Sequence, residues 1–148
     1  MKFNDETYRK LMRKYKDTYY ALLNEDGVYV LANQVGYNRI RKGIRTPNSA
    51  NAKSAEVNIE AYNTDGSTLM LYMVNGSTRY MNSIINQLGG SDGEIVFNAN
   101  VDTEGGYFHF DAKHIDKVCE TSGIKKRPVF TEETLKAKRE SAKRLLAV

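Results

Sequence analysis

The sequence predicts an α+β fold with a mixed, mainly antiparallel sheet, and three observations lead there. Residues 56–62 and 94–101 alternate polar and apolar side chains, the period of a half-buried strand. Each segment is followed by a turn, a second apolar run and a helix-period stretch closed by glycine, so a hairpin–helix (ββα) unit occurs twice. An apolar stripe at three- and four-residue steps opens the chain. Together they predict a sheet with its helices on one face, an amphipathic N-terminal helix and a basic C-terminal helical tail. Two separate sheets are the alternative. With 148 residues the chain is long enough for one domain and an arm. The expected division is an α+β domain over 1–123 and a basic linker with terminal helix over 124–148.

The elements follow in order. Asn4 or Asp5 can cap a first helix whose stripe is Tyr8, Leu11, Met12, Tyr15, Tyr19, Leu22 and Leu23. Glu25-Asp26-Gly27 turns the chain, and Val28 to Ala32 is a β-prone strand. Residues 36–45, if extended, put Arg39, Arg41 and Arg45 on one face and Ile40 and Ile44 on the other. Residues 46–54 are small and polar and read as a loop.

The first unit has a strand from Glu56 to Tyr62, a turn at Asn63 to Gly66, and a central strand from Ser67 to Val74. Its helix is capped by Ser77, turns Tyr80, Met81, Ile84, Ile85 and Leu88 inward and stops at Gly89-Gly90. The second unit has strands at 94–101 and 106–110, and a helix capped by Asp111 that ends before Gly123 with Ile115, Val118 and Cys119 inward. Glu56, Asn58, Glu60, Glu94, Asn98 and Asn100 are expected on an open, acidic to neutral sheet face. Thr131 caps the basic helix from Leu135 to Leu146.

Charge is segregated along this layout. Residues 27–55 carry Arg39, Arg41, Lys42, Arg45 and Lys53 and no acid, whereas 56–111 carry eight acids and one base, Arg79. Ten bases against five acids follow in 112–148. Each phosphate neutralised by Lys or Arg releases counterions, so acid-free basic stretches suit a polyanion. Tyr37 stands beside the first stretch, and Gly36 and Gly43 allow close approach of backbone to phosphate. Lys125, Lys126 and Arg127, with Lys138, Arg139, Lys143 and Arg144 on the last helix, extend the track.

Chemistry-bearing constellations are sparse. His109, Asp111, His114, Asp116 and Cys119 are near one another in sequence, but their expected directions diverge, with His109 on the open face and Cys119 in the core. No nucleophile elbow, phosphate loop or dinucleotide fingerprint is present, and 56–111 has no lysine to accompany its carboxylates. No catalytic residue, metal site or cofactor is expected, and hence no enzyme. The single cysteine fits a reducing, cytoplasmic setting. No apolar run approaches a membrane span, and the first ten residues lack the apolar core of a signal peptide.

Lys125-Lys126-Arg127-Pro128 followed by Thr-Glu-Glu and a basic helix is similar in style to tails of small phage-encoded DNA-binding proteins. Thirteen asparagines and ten tyrosines suit an AT-rich genome, phage or bacterial. The expectation is a non-enzymatic nucleic-acid-binding protein that contacts the backbone of DNA or RNA at the strand–loop edge and tail. The alternative is a small adaptor or inhibitor, phage-encoded, acting in the host cytoplasm on a larger host protein or complex.

Overall fold

The computed structural model describes residues 5–43, 55–128 and 132–146, and their side chains except those of 5–7, 132, 134 and 144–146. Six strands form one sheet: β1 (Ala21–Leu23), β2 (Tyr29–Ala32), β3 (Glu56–Ala61), β4 (Thr68–Val74), β5 (Phe97–Asp102) and β6 (Gly105–Asp111). Their order is β1-β2-β3-β4-β6-β5 and every pairing is antiparallel, so the parallel component of the expected sheet does not occur among them. Hairpins join β1 to β2, β3 to β4 and β5 to β6, while a helical crossover carries the chain from β4 to β5, which run in the same direction on either side of β6. The two hairpins meet through their second strands, β4 against β6. That arrangement does not itself establish a repeated unit.

The register sorts the side chains. Val57, Ile59 and Ala61 align with Met73, Leu71 and Leu69, and Leu69 and Leu71 align with Phe110 and Phe108. These residues are buried in one core with Met81, Ile84 and Ile85 of α3 (Thr78–Gln87) and Val118 and Cys119 of α4 (Ile115–Ser122). Ser77 accepts a hydrogen bond from the Tyr80 amide, and Asp111 accepts one from the Lys113 amide in the short 3-10 turn leading into α4. Gly123, in the left-handed region at φ 80°, ends α4. These are the caps and inward faces expected from the sequence.

The N-terminal helix is shorter than expected. α1 spans Asp5–Lys10, a 3-10 turn covers Leu11–Tyr15, and the stripe's last residues belong to β1 instead. The hairpin explains this. Asn24 accepts from the amides of Asp26 and Val28, and Gly27 sits at φ 73°, so Leu22 is carried opposite Val30. A tight turn with strand pairing outweighs a periodicity that fits either element.

The second correction concerns residues 36–45. They are not extended: α2 runs Gln34–Lys42, with Asn33 as its N-cap and Gly43 left-handed at its end. It also lies on the opposite sheet face from α3 and α4, because Gly36 approaches Asn58, Glu56 and Ala32. A Cβ at Gly36 would stand 2.7 Å from Asn58 Oδ1, so this glycine serves helix–sheet contact and not a phosphate. Covered in this way, Glu56 and Asn58 are fully buried, contrary to the open face expected for them. β5 begins at Phe97, leaving Glu94 outside it, and a bulge at Asn98 (φ 49°) shifts its register.

The chain keeps hold of the body past Gly123. Ile124 is buried in the core, Lys126 bridges Tyr19, and the Arg127 amide donates to Thr18 O at 2.8 Å. α5 then spans Glu132–Leu146, and its described side chains are exposed. The Thr131 cap lies outside the described residues. No helix among them is long and apolar enough to cross a membrane.

Candidate nucleic-acid interface

The basic residues singled out from the sequence meet different fates. Arg39 is held by carboxylates: its guanidinium donates to Glu56, inside the α2–sheet contact, and to Glu25 at the β1–β2 turn. The hydrogen bond to Glu56, and then that to Glu25, raise its pKa further despite partial burial. Asn58 Nδ2 donates to the other Glu56 oxygen at 2.6 Å. Arg39 is therefore a structural cation, not an open phosphate contact. Because the segment is a helix, Arg39 and Arg41 project about 200° apart, not on one face. Arg41 and Lys42 are exposed in its last turn. Arg45 and Lys53 lie outside the described residues.

Four other candidates come together. Tyr37, Lys125 and Lys126 line a cleft of about 350 Å³ with Tyr20, Ala32, Asn33, Gln34 and Pro128. Arg127 stands at its side, its guanidinium 4.7 Å from the Tyr20 ring centre and its Nε donating to Tyr19 O at 3.2 Å. The Tyr20 and Tyr37 rings meet edge to face, 5.8 Å apart at 73°. Asn33 makes this wall rigid. Its Oδ1 accepts from Gly36 N at 3.0 Å and Val57 N at 3.1 Å, and its Nδ2 donates to Ala55 O at 2.8 Å. The opposite wall is fixed where Lys126 bridges Tyr19, whose hydroxyl donates to Asp116. Burial, and then that hydrogen bond, raise the Tyr19 pKa. Lys126 Nζ lies 3.8 Å from the same carboxylate, with both side chains well exposed.

Lys138, Arg139 and Lys143 are exposed on α5 and do not line the cleft, and the Arg144 side chain lies outside the described residues. Tyr20, Asn33 and Gln34 were missed from sequence. Only Asn33 carried a signal, an N-cap three residues before Gly36.

The uncovered part of the sheet differs from the acidic to neutral face expected. Its centre is aromatic: His109 lies between Tyr62 (3.9 Å between ring centres) and Tyr107 (5.6 Å), with Phe97 edge-on at 5.9 Å. His109 is buried instead of open, and neither ring nitrogen has a hydrogen-bond partner. Burial lowers its pKa. Cys119 is buried as well, and burial pushes its thiol up to about 12. Asp111 is spent on its cap, and no group of three or more potential metal ligands converges among the described residues. Compared with known proteins, the chain matches no family model, no curated protein and no solved structure.

Proposed function

We propose that this protein is a non-enzymatic nucleic-acid-binding protein that grips the phosphate backbone on the side where Lys125, Lys126 and Arg127 run past the start of α2. One observation carries this reading. Two lysines from the C-terminal basic run and an aromatic ring from the α2 basic segment, far apart in sequence, line the same cleft. Exposed Arg41 and Lys42 on α2, and Lys138, Arg139 and Lys143 on α5, are further cations for a backbone track.

Anisotropy titrations with DNA and RNA, single-stranded and duplex, at two salt concentrations test it. Binding should weaken steeply with salt, and K125A/K126A should flatten the log–log slope by roughly 1 to 2, about one per lost phosphate contact. Absence of binding at low salt would overturn the reading. A second reading, the protein-binding adaptor or inhibitor, is favoured by α5, which exposes Leu135 among its cations. A partner protein that stays bound to the full chain after nuclease treatment, and is released by L135E, would select it.

A further inference from the structure

A phosphate grip requires cations and nothing aromatic, and would hold duplex and single strand alike. The cleft has more than that. Tyr20 and Tyr37 are half-buried and meet edge to face. One side of Tyr20 is occupied by the Arg127 guanidinium. Tyr37 stands on α2 next to Gly36, which seats the helix on the sheet, and its ring lines the cleft. Ala32 and Pro128 add apolar lining, and Gln34, whose Nε2 donates to Asn38 Oδ1 at 2.9 Å, adds a side-chain amide with its oxygen as acceptor. Lys125 and Lys126 complete the lining, with Lys126 Nζ 3.8 Å from the exposed Asp116 carboxylate.

Tyrosine rings, apolar lining, a side-chain amide and two lysine side chains around about 350 Å³ suit one nucleotide: a base to stack, an edge to hydrogen-bond and a phosphate to neutralise. A base inside a duplex has both faces occupied by its neighbours and cannot enter such a cleft. An unpaired base can. We propose that the cleft receives one unpaired base of a single-stranded nucleic acid, stacked on Tyr37, with its flanking phosphates on Lys125 and Lys126. This rests on the nucleic-acid reading above and adds strand selectivity to it.

The test uses the full chain and three probes: a single-stranded oligonucleotide, the duplex of the same sequence, and a 5′-mononucleotide. The wild type should prefer the strand to the duplex. Y37L should lose about tenfold or more on the strand, as loss of one base–aromatic stack entails, with duplex affinity changed less than about twofold. Y37F should bind like the wild type. Should Y37L not fold, photocrosslinking of a halouracil-substituted strand to the wild type, read by mass spectrometry, should mark Tyr37 or Tyr20. Equal losses on strand and duplex, crosslinks confined to other residues, or a mononucleotide as tight as the strand would each overturn the proposal. If strand and duplex bind equally and the K125A/K126A slope change persists, only the base-stacking proposal fails. If no probe binds at low salt, the nucleic-acid reading fails with it.

Discussion

Replacing Arg39 separates a structural cation from a phosphate ligand. In Arg39→Met the Glu56 carboxylate loses its guanidinium partner while its side chain remains 1% exposed. Removing one partner of a buried pair costs about 3–5 kcal/mol, because a charge is left uncompensated in low dielectric. The lower end applies here, since Arg39 is itself 28% exposed and Asn58 still donates to Glu56. The second arm adds little: Glu25 is 62% exposed, and such pairs contribute about 0–1 kcal/mol. The expected loss is about 3 kcal/mol, and at roughly 2–4 °C per kcal/mol for a chain of this size Tm should fall by about 6–12 °C. Arg39→Met/Glu56→Gln should recover more than half of it, because the glutamine still accepts from Asn58 and no longer carries a charge. Urea and thermal unfolding measure the stability, and a salt titration with nucleic acid measures the contact. The salt slope should be unchanged. A variant that melts within about 2 °C of the wild type while its slope drops by about one would refute the reasoning.

The remaining expectations are as direct. His109→Phe removes two buried nitrogens without partners and should be neutral or stabilising by about 1 kcal/mol in urea melts, whereas a loss beyond that would mean the imidazole makes a hydrogen bond. Burial lowers the His109 pKa, so the unfolded chain binds the proton more readily and wild-type stability should decline as pH falls below about 6.5, a decline that is shallower in the variant. With its thiol raised to about 12 and fully buried, Cys119 should react with iodoacetamide near neutral pH only as fast as the protein opens; rapid native-state labelling would contradict its placement. Truncation after Gly123 should cost about 3 kcal/mol, since it takes away buried Ile124 and the backbone contacts to Thr18 and Tyr19.

Where local rules and burial agreed, the fold was legible in the sequence. Ser77 and Gly89 bracket α3, and Asp111 and Gly123 bracket the 3-10 turn and α4, with inward residues at helical spacing between them. The Asn63–Gly66 turn is readable too, for Asn63 accepts from the Thr68 amide and Asp65 from the Ser67 amide. α2 had equivalent punctuation in Asn33 and Gly43, but alternating arginine and isoleucine imitates a strand. The caps were the better guide, since they satisfy backbone groups that charge alternation leaves open. β1 has only three residues and is a strand because of its partner, which no window over 21–23 reveals.

The misread sheet face has a different cause. Alternation identifies β3 correctly as a strand, yet which face meets solvent depends on what packs there, and α2 arrives from earlier in the chain. Glu56 can be buried because Arg39 accompanies it, and Arg39 is available because Gly36 lets the helix approach. Each of the three residues is unremarkable alone; together they tie one arginine of the basic stretch into the scaffold. The same dependence builds the cleft. Tyr37 is placed by the Asn33 cap, while Lys125 and Lys126 are placed by the bridge to Tyr19 at the other end of the sequence. Composition counted those cations correctly as positive charge. Their division into scaffold and surface is a property of tertiary contacts, and so the lysines with no buried carboxylate nearby, not the arginines that stand out in the sequence, face the cleft.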